Sequence, residues 1–170
     1  MTVSHQHTNH SYTEGVAGNP KIVYRPGEYE IGGVLIIGIP SYHDDEKGTV
    51  YGKNNVFAIE IDDITVCHLG DLGHPLTAEQ IEEIGSIDVL LVPAGNGNTI
   101  SAAQAAALTR TIEPRIVIPM QYKTLTLTRE TDSVDKFLKE MGIKEIEAQP
   151  KLNVTKSTLP QTTTVVVLNC

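Results

Sequence analysis

Cysteine is scarce in this 170-residue chain: Cys67 and Cys170 are the only two. Two thiols cannot build a disulfide framework, and their rarity fits a reducing, cytoplasmic setting. Positive charge is short as well, with 13 Lys+Arg against 21 Asp+Glu and a formal net charge of −8. A phosphate-backbone binder needs a basic face, and no basic run is visible, so nucleic acid is not an expected partner. Long apolar runs are missing too. The most apolar segment, VLIIGIP at 34–40, has the length of a strand and not of a membrane span, so no membrane is expected either. The start of the chain lacks a basic segment followed by an apolar one, so no secretory leader is expected. The Asn-x-Ser/Thr triplets at Asn9 and Asn153 therefore carry no weight. Neither an internal repeat nor a low-complexity linker appears, and the length predicts a single domain over 1–170.

What is present falls into two halves. MTV at 1–3 reads as the stump of a strand. EYEIGGVLIIGIP at 28–40 reads as a hairpin around Gly32-Gly33, and 54–71 as a second hairpin turning at Asp62-Asp63. After Asp71 the pattern changes to alternating strand and helix. Thr77 with Gln80 and Ser101 with Gln104 are capping boxes for helices over 77–85 and 101–114, and 133–142 is a third helix. DVLLVPA and RIVIPM are continuous apolar runs of the kind covered on both faces. Short strands are expected at KEIEA (144–148) and TTTVVVL (162–168). Polar loops bearing His or Asp follow several strands, which in layered α/β folds is where ligand sites form.

MTVSHQHTNH places His5, His7 and His10 together. On a continuing strand His5 and His7 point the same way, and His10 approaches from where the chain turns. Imidazole nitrogens suit zinc and similar ions. A tag remnant or a solvated tail is the bland alternative, which the interleaved Ser4, Gln6, Thr8 and Asn9 disfavour. His43 follows a buried strand, with Asp44 and Asp45 beside it as supporting or solvated groups. Asp71 follows another strand in HLGDLGH, where Gly70 and Gly73 permit close approach. His68 reads as a core or surface residue, and His74 either as a polar residue approaching the next helix or as a group that supports the ligands from behind. Cys67 reads as core. GNGNT at 95–99 lacks dinucleotide or P-loop spacing and reads as a flexible loop rimming the site. Tyr122 and Lys123 either face substrate or are ordinary surface.

SHQHTNH, SYHDD, HLGDLGH and IPMQYKT, in that order, resemble the metallo-β-lactamase superfamily, in particular its small metal-dependent hydrolase branch. There the pattern runs SH-x-H-x-D-H, a strand-end His, H-x-GD-x-GH and IPM-H-Y-K-T. PGEYEIGGVLIIGIP and DVLLVPAGNGNTISAAQAA look like that branch as well, so the resemblance spans the chain. It implies an αββα sandwich, an α/β layered fold, with a dinuclear metal site at its edge. By that likeness one metal takes His5, His7 and His43, and a second takes Asn9, His10 and Gln121, with Asp71 shared between them. Two departures fall on the second ion: Asn9 stands where the pattern has Asp, and Gln121 where it has His. A neutral amide oxygen is a poor ligand for such an ion, so one zinc-type ion is expected in preference to two, with manganese or iron as substitutes. A third departure is that strands preceding the first His motif in the family have no counterpart here. The expectation is therefore an N-terminally incomplete sandwich with an uncovered sheet face, inclined to self-association.

The resulting expectation is a hydrolase acting on an ester, lactone, amide or phosphodiester bond of a small molecule. Three imidazoles around zinc lower the pKa of bound water to about 7, and Asp71 orients that water or takes its proton. The alternative is a catalytically degenerate member, a binding or scaffold protein holding one metal or none. A nucleic-acid-processing member is a third and weaker reading, opposed by the net charge.

Overall fold

A computed structural model describes residues 1–8, 10–127 and 130–169. Asn9 and Cys170 lie outside the described residues. Seven strands form one sheet in sequence order: β1 (Gly27–Ile31), β2 (Val34–Tyr42), β3 (Lys53–Ile61), β4 (Ile64–His68), β5 (Val89–Pro93), β6 (Ile116–Met120) and β7 (Thr164–Val165). The first three junctions are antiparallel hairpin pairings and the last three are parallel. The β1–β2 turn is Gly32-Gly33. Asp62 and Asp63, both at positive φ (51° and 61°), make the two-residue β3–β4 turn.

The parallel strands are linked by α1 (Ala78–Ile84), α2 (Ala102–Ile112) and α3 (Val134–Glu140). Thr77–Gln80 and Ser101–Gln104 both form reciprocal capping boxes, satisfying amides that a helix start leaves unpaired. All three helices pack on one face. Ile39, Val56, Ala58, Cys67, Leu90, Val92 and Val117 meet Ile84, Ala105, Leu108, Phe137 and Leu138 there in the main core. Strand alternation sends the intervening residues to the opposite face. Ile36 and Phe57 pack with Val23 there, while Ile64, Val89 and Ile116 sit under Leu152, Val154 and Leu159. That opposite face is only partly closed, for Val34, Val66, Leu91 and Ile118 remain half-buried. One sheet with its helical layer is the part of the expected sandwich that the described residues form. Among them no helix is long and apolar enough to cross a membrane.

Two segments differ from expectation. KEIEA forms no strand: Ile146 and Ala148 pack against the main core without a ladder, and the nearest pairing is a single Gln149–Leu168 bridge. MTV contributes one parallel bridge, Thr2 to Val23, in place of a strand.

The direction of the strands decides where the chemistry collects. β2 runs antiparallel to β3 and β3 to β4, so β2 runs the same way as β4, β5 and β6. The carboxyl ends of all four therefore meet at one edge of the sheet, and so does the start of β3.

Candidate metal centre

His43 leaves the end of β2, Asp71 follows β4, Asn98 follows β5 and Gln121 follows β6. The amino-terminal segment joins them because Asn55, near the start of β3, donates its backbone N–H to the Ser4 carbonyl at 2.8 Å. That bond sets His5 against the same edge. Beyond Ser4 the chain no longer pairs as a strand. The amides of His10 and Ser11 both donate to the His7 carbonyl, closing a tight turn that brings His10 back beside His5.

The result is a cluster around one carboxylate oxygen. Asp71 Oδ2 lies 3.1 Å from His43 Nε2, 3.7 Å from His10 Nε2 and 3.8 Å from His5 Nε2. His5, His10 and Asp71 offer ligand atoms all within 4.8 Å of one another. Two ligands held about 2.0–2.1 Å from a tetrahedral zinc lie roughly 3.4 Å apart, so the spacing is of the right size for an ion. The His5 Nε2 atom is buried with no hydrogen-bond partner. An orphaned imidazole nitrogen facing a carboxylate is unusual in a finished core, and the donor set around it suits a cation. His7 is exposed, its ring centroid 5.9 Å from that of His5 and 5.0 Å from that of His10.

The groups behind the cluster fix its atoms. The His43 Nδ1–H donates to the Asn98 carbonyl at 3.0 Å, which presents Nε2 toward Asp71. Burial pulls the His43 pKa down, but the hydrogen bond and charge of Asp71 outweigh it, and the net shift is upward. His5 moves the other way, from 6.5 to about 4, because burial dominates and the neighbouring imidazoles add to it against the pull of Asp71. Burial would raise the Asp71 pKa. The bonds from His43 and Gln121 and the surrounding imidazoles reverse that, holding the carboxyl well below the usual carboxylate range.

Asn54 is the principal brace. It is fully buried, and its amide group donates to Ser41 Oγ at 2.8 Å and to the Leu69 carbonyl at 2.9 Å. Its oxygen accepts the Asp71 backbone N–H at 3.0 Å. Gly70 turns beside it at φ +60°, where a Cβ would lie 2.3 Å from Asn54 Oδ1, so no other residue fits. His68 completes the turn, its Nδ1 accepting the Gly70 N–H at 2.9 Å. His74 supports the other strand end: its Nε2 accepts the Tyr42 N–H at 3.1 Å and its Nδ1 donates to the Pro75 carbonyl at 2.8 Å. Both of its nitrogens are engaged by backbone, next door to His43. The Asp44 carboxylate accepts four backbone N–H groups from Glu46, Gly48, Val50 and Tyr51, which lowers its pKa against the effect of burial and closes the loop after β2.

Gln121 holds a backbone φ of +59° and donates its side-chain amide to Asp71 Oδ1 at 2.5 Å; its own oxygen is buried without a partner. An N–H donor thus occupies the carboxylate oxygen that a bridging role would turn toward a second cation. Tyr122 is buried in the main core with its hydroxyl donating to the Leu168 carbonyl, and Lys123 reaches the Leu127 carbonyl. Cys67 is core, its thiol pushed by burial to about 12.

Sequence reasoning did not single out Asn54, Ser41 or the Asn98 carbonyl. Asn54 lies in the polar start of β3, Lys53-Asn54-Asn55, where nothing in the sequence sets it apart from its neighbours. The backbone carbonyl of Asn98 leaves no mark either.

Comparison with known proteins places these observations in a wider set. The profile of the Beta-lactamase superfamily domain matches residues 1–121. A UPF0173 metal-dependent hydrolase of Pyrococcus horikoshii is 35% identical over 100 residues, covering 58% of this chain and 44% of that protein. One from Archaeoglobus fulgidus is 28% identical over 124 residues, covering 69% and 54%. The chain thus spans about half the length of the curated relatives it matches. A solved structure from Thermotoga maritima, assigned to the Zn-dependent hydrolases of the metallo-beta-lactamase superfamily, superposes with a TM-score of 0.81 and 41% identity over 98% of this chain and 79% of that one. A Parabacteroides distasonis structure at 14% identity shares the fold, with a TM-score of 0.66.

Proposed function

Because this chain belongs to the beta-lactamase superfamily, we propose that it is a metal-dependent hydrolase of small molecules that holds one zinc-type ion in His5, His10, His43 and Asp71. The observation that carries this reading is the buried, unpartnered Nε2 of His5 facing Asp71 Oδ2, with two further imidazoles on the same oxygen. Such an ion supplies Lewis acidity and lowers the pKa of water to about 7. The residues supply position. Asn98 and Asn54 aim His43 and Asp71, and Gln121 pins Asp71 Oδ1. With one oxygen on the Gln121 amide and the other among imidazoles, Asp71 acts as ligand and orienting acceptor more than as a free base. The bonds in reach are esters, lactones, amides and phosphodiesters, whose carbonyl or phosphoryl oxygen would face the cluster. A cytoplasmic, reducing setting accompanies this reading, on the scarcity of cysteine in the sequence.

The experiment is a hydrolysis screen over neutral and anionic esters and phosphodiesters, with zinc- or manganese-loaded protein and a His5→Ala control. Turnover that is lost with His5→Ala and with chelator supports the proposal. A loaded protein that turns over nothing in the screen supports instead a binding or scaffold role, which the Gln121 amide on Asp71 favours as the second reading.

A further inference from the structure

The cleft beside this cluster differs in charge from the rest of the chain. It measures about 730 Å³ and lies where β2 continues past the start of β1, bounded by residues 24–26 and 51–55. His5 forms part of its wall. Arg25 and Lys53 line it, and no Asp or Glu does, although acids outnumber Lys+Arg by 21 to 13 in the whole chain. The nearest buried acid in sequence, Asp44, has its carboxylate turned into four backbone N–H groups. Among the described residues neither Arg25 nor Lys53 has a carboxylate partner; the lysine ion pairs, Lys136–Asp132 and Lys156–Asp88, are elsewhere.

Two tyrosines complete the cleft. Tyr24 is half exposed with the Arg25 guanidinium 5.5 Å from its ring centroid. Tyr51 is equally exposed, and its ring stands 5.3 Å from that of His43. Tyr51 therefore connects the cationic cleft to the cluster. A concave surface carrying one sign of charge concentrates ligands of the other sign, and the acidic remainder of this chain repels them from elsewhere. A guanidinium and an ammonium with no carboxylate partner among the described residues are suited to a carboxylate or a phosphate group.

We infer that this cleft binds the anionic group of the substrate, a carboxylate or a phosphate, through Arg25 and Lys53, and lays the adjoining part against Tyr24 and Tyr51. That the bound molecule is a substrate rests on the hydrolase reading; anion binding itself does not.

The test is calorimetric titration of the zinc-loaded full chain with succinate and, separately, with inorganic phosphate. Wild type, the double variant Arg25→Gln/Lys53→Gln and a remote control, Lys151→Gln, are compared. The expected result is binding of at least one anion, weakened about tenfold in the double variant, unchanged in the control and reduced by added salt. Which anion binds identifies the group. Failure of wild type to bind either anion overturns the inference. So does equal affinity in the double variant, which would assign the anion to the zinc alone. The two readings fail separately. Anion binding through Arg25 and Lys53 without turnover would remove the hydrolase and keep the cleft. Turnover of anionic and neutral esters with KM unchanged in the double variant would do the reverse.

Discussion

Replacing Asn54 by alanine removes the group that ties three strand ends together. The side chain is fully buried and makes three hydrogen bonds, to Ser41 Oγ, the Leu69 carbonyl and the Asp71 amide. At about 1 kcal/mol net for each, the loss is ~3 kcal/mol, and it is larger if water cannot reach the orphaned Asp71 N–H and Leu69 carbonyl. For a chain of this size that corresponds to a fall in Tm of roughly 6–12 °C. The Gly70 turn packs directly on Asn54 Oδ1, so its removal also frees the Asp71 carboxylate to move. Groups that orient metal ligands from behind typically account for about 10–100-fold in metal affinity. Urea unfolding of the metal-free chain and zinc competition with a chromophoric chelator read the two effects separately. A loss under about 1 kcal/mol together with unchanged zinc affinity would refute the argument that Asn54 braces the site.

Asn9→Asp combined with Gln121→His should raise zinc from about one toward two equivalents per chain; stoichiometry that stays at one would show that Gln121 is not what limits the site. In the metal-free chain the His5 pKa sits near 4 against 6.5 unfolded, so the unfolded chain binds more protons between those values and stability falls as pH drops from about 6.5 to about 4. His43 opposes this, since its raised pKa adds stability below 6.5. His5→Gln should therefore flatten the acid side of a urea-midpoint profile, and a profile identical to wild type would contradict the shift. The half-buried Val34, Val66, Leu91 and Ile118 on the face away from the helices lead us to expect self-association, measured by sedimentation velocity. A monomer across the concentration series, unaffected by Leu91→Lys, would count against it.

Much of the fold could be read from local chemistry. The Gly32-Gly33 and Asp62-Asp63 turns and the two capping boxes depend on residues within a few positions of each other, and each forms as expected. KEIEA misled because its alternation reports packing of Ile146 and Ala148, whereas a strand also needs a neighbour with free backbone groups. The candidate ligands His5, His7, His10, His43 and Asp71 were visible as residue types, His43 and Asp71 after apolar strand runs. What no spacing showed is the turn beyond Ser4 that brings His10 back beside His5. That turn, closed on the His7 carbonyl, sets the His10 ring 5.0 Å from that of His5, with the His7 ring 5.9 Å from it. The roles of Asn54 and Asn98 arise from contacts between strand ends far apart in sequence, which no spacing encodes.

Zinc content per chain is the most direct test of the metal centre. Protein purified without chelator, incubated with zinc and desalted, is analysed for zinc against protein concentration, alongside His5→Ala and Gln121→Leu. We predict about one equivalent in wild type, none retained by His5→Ala and one still present in Gln121→Leu. Wild type holding no zinc, or His5→Ala holding as much as wild type, would contradict the assignment of His5, His10, His43 and Asp71 as a metal site.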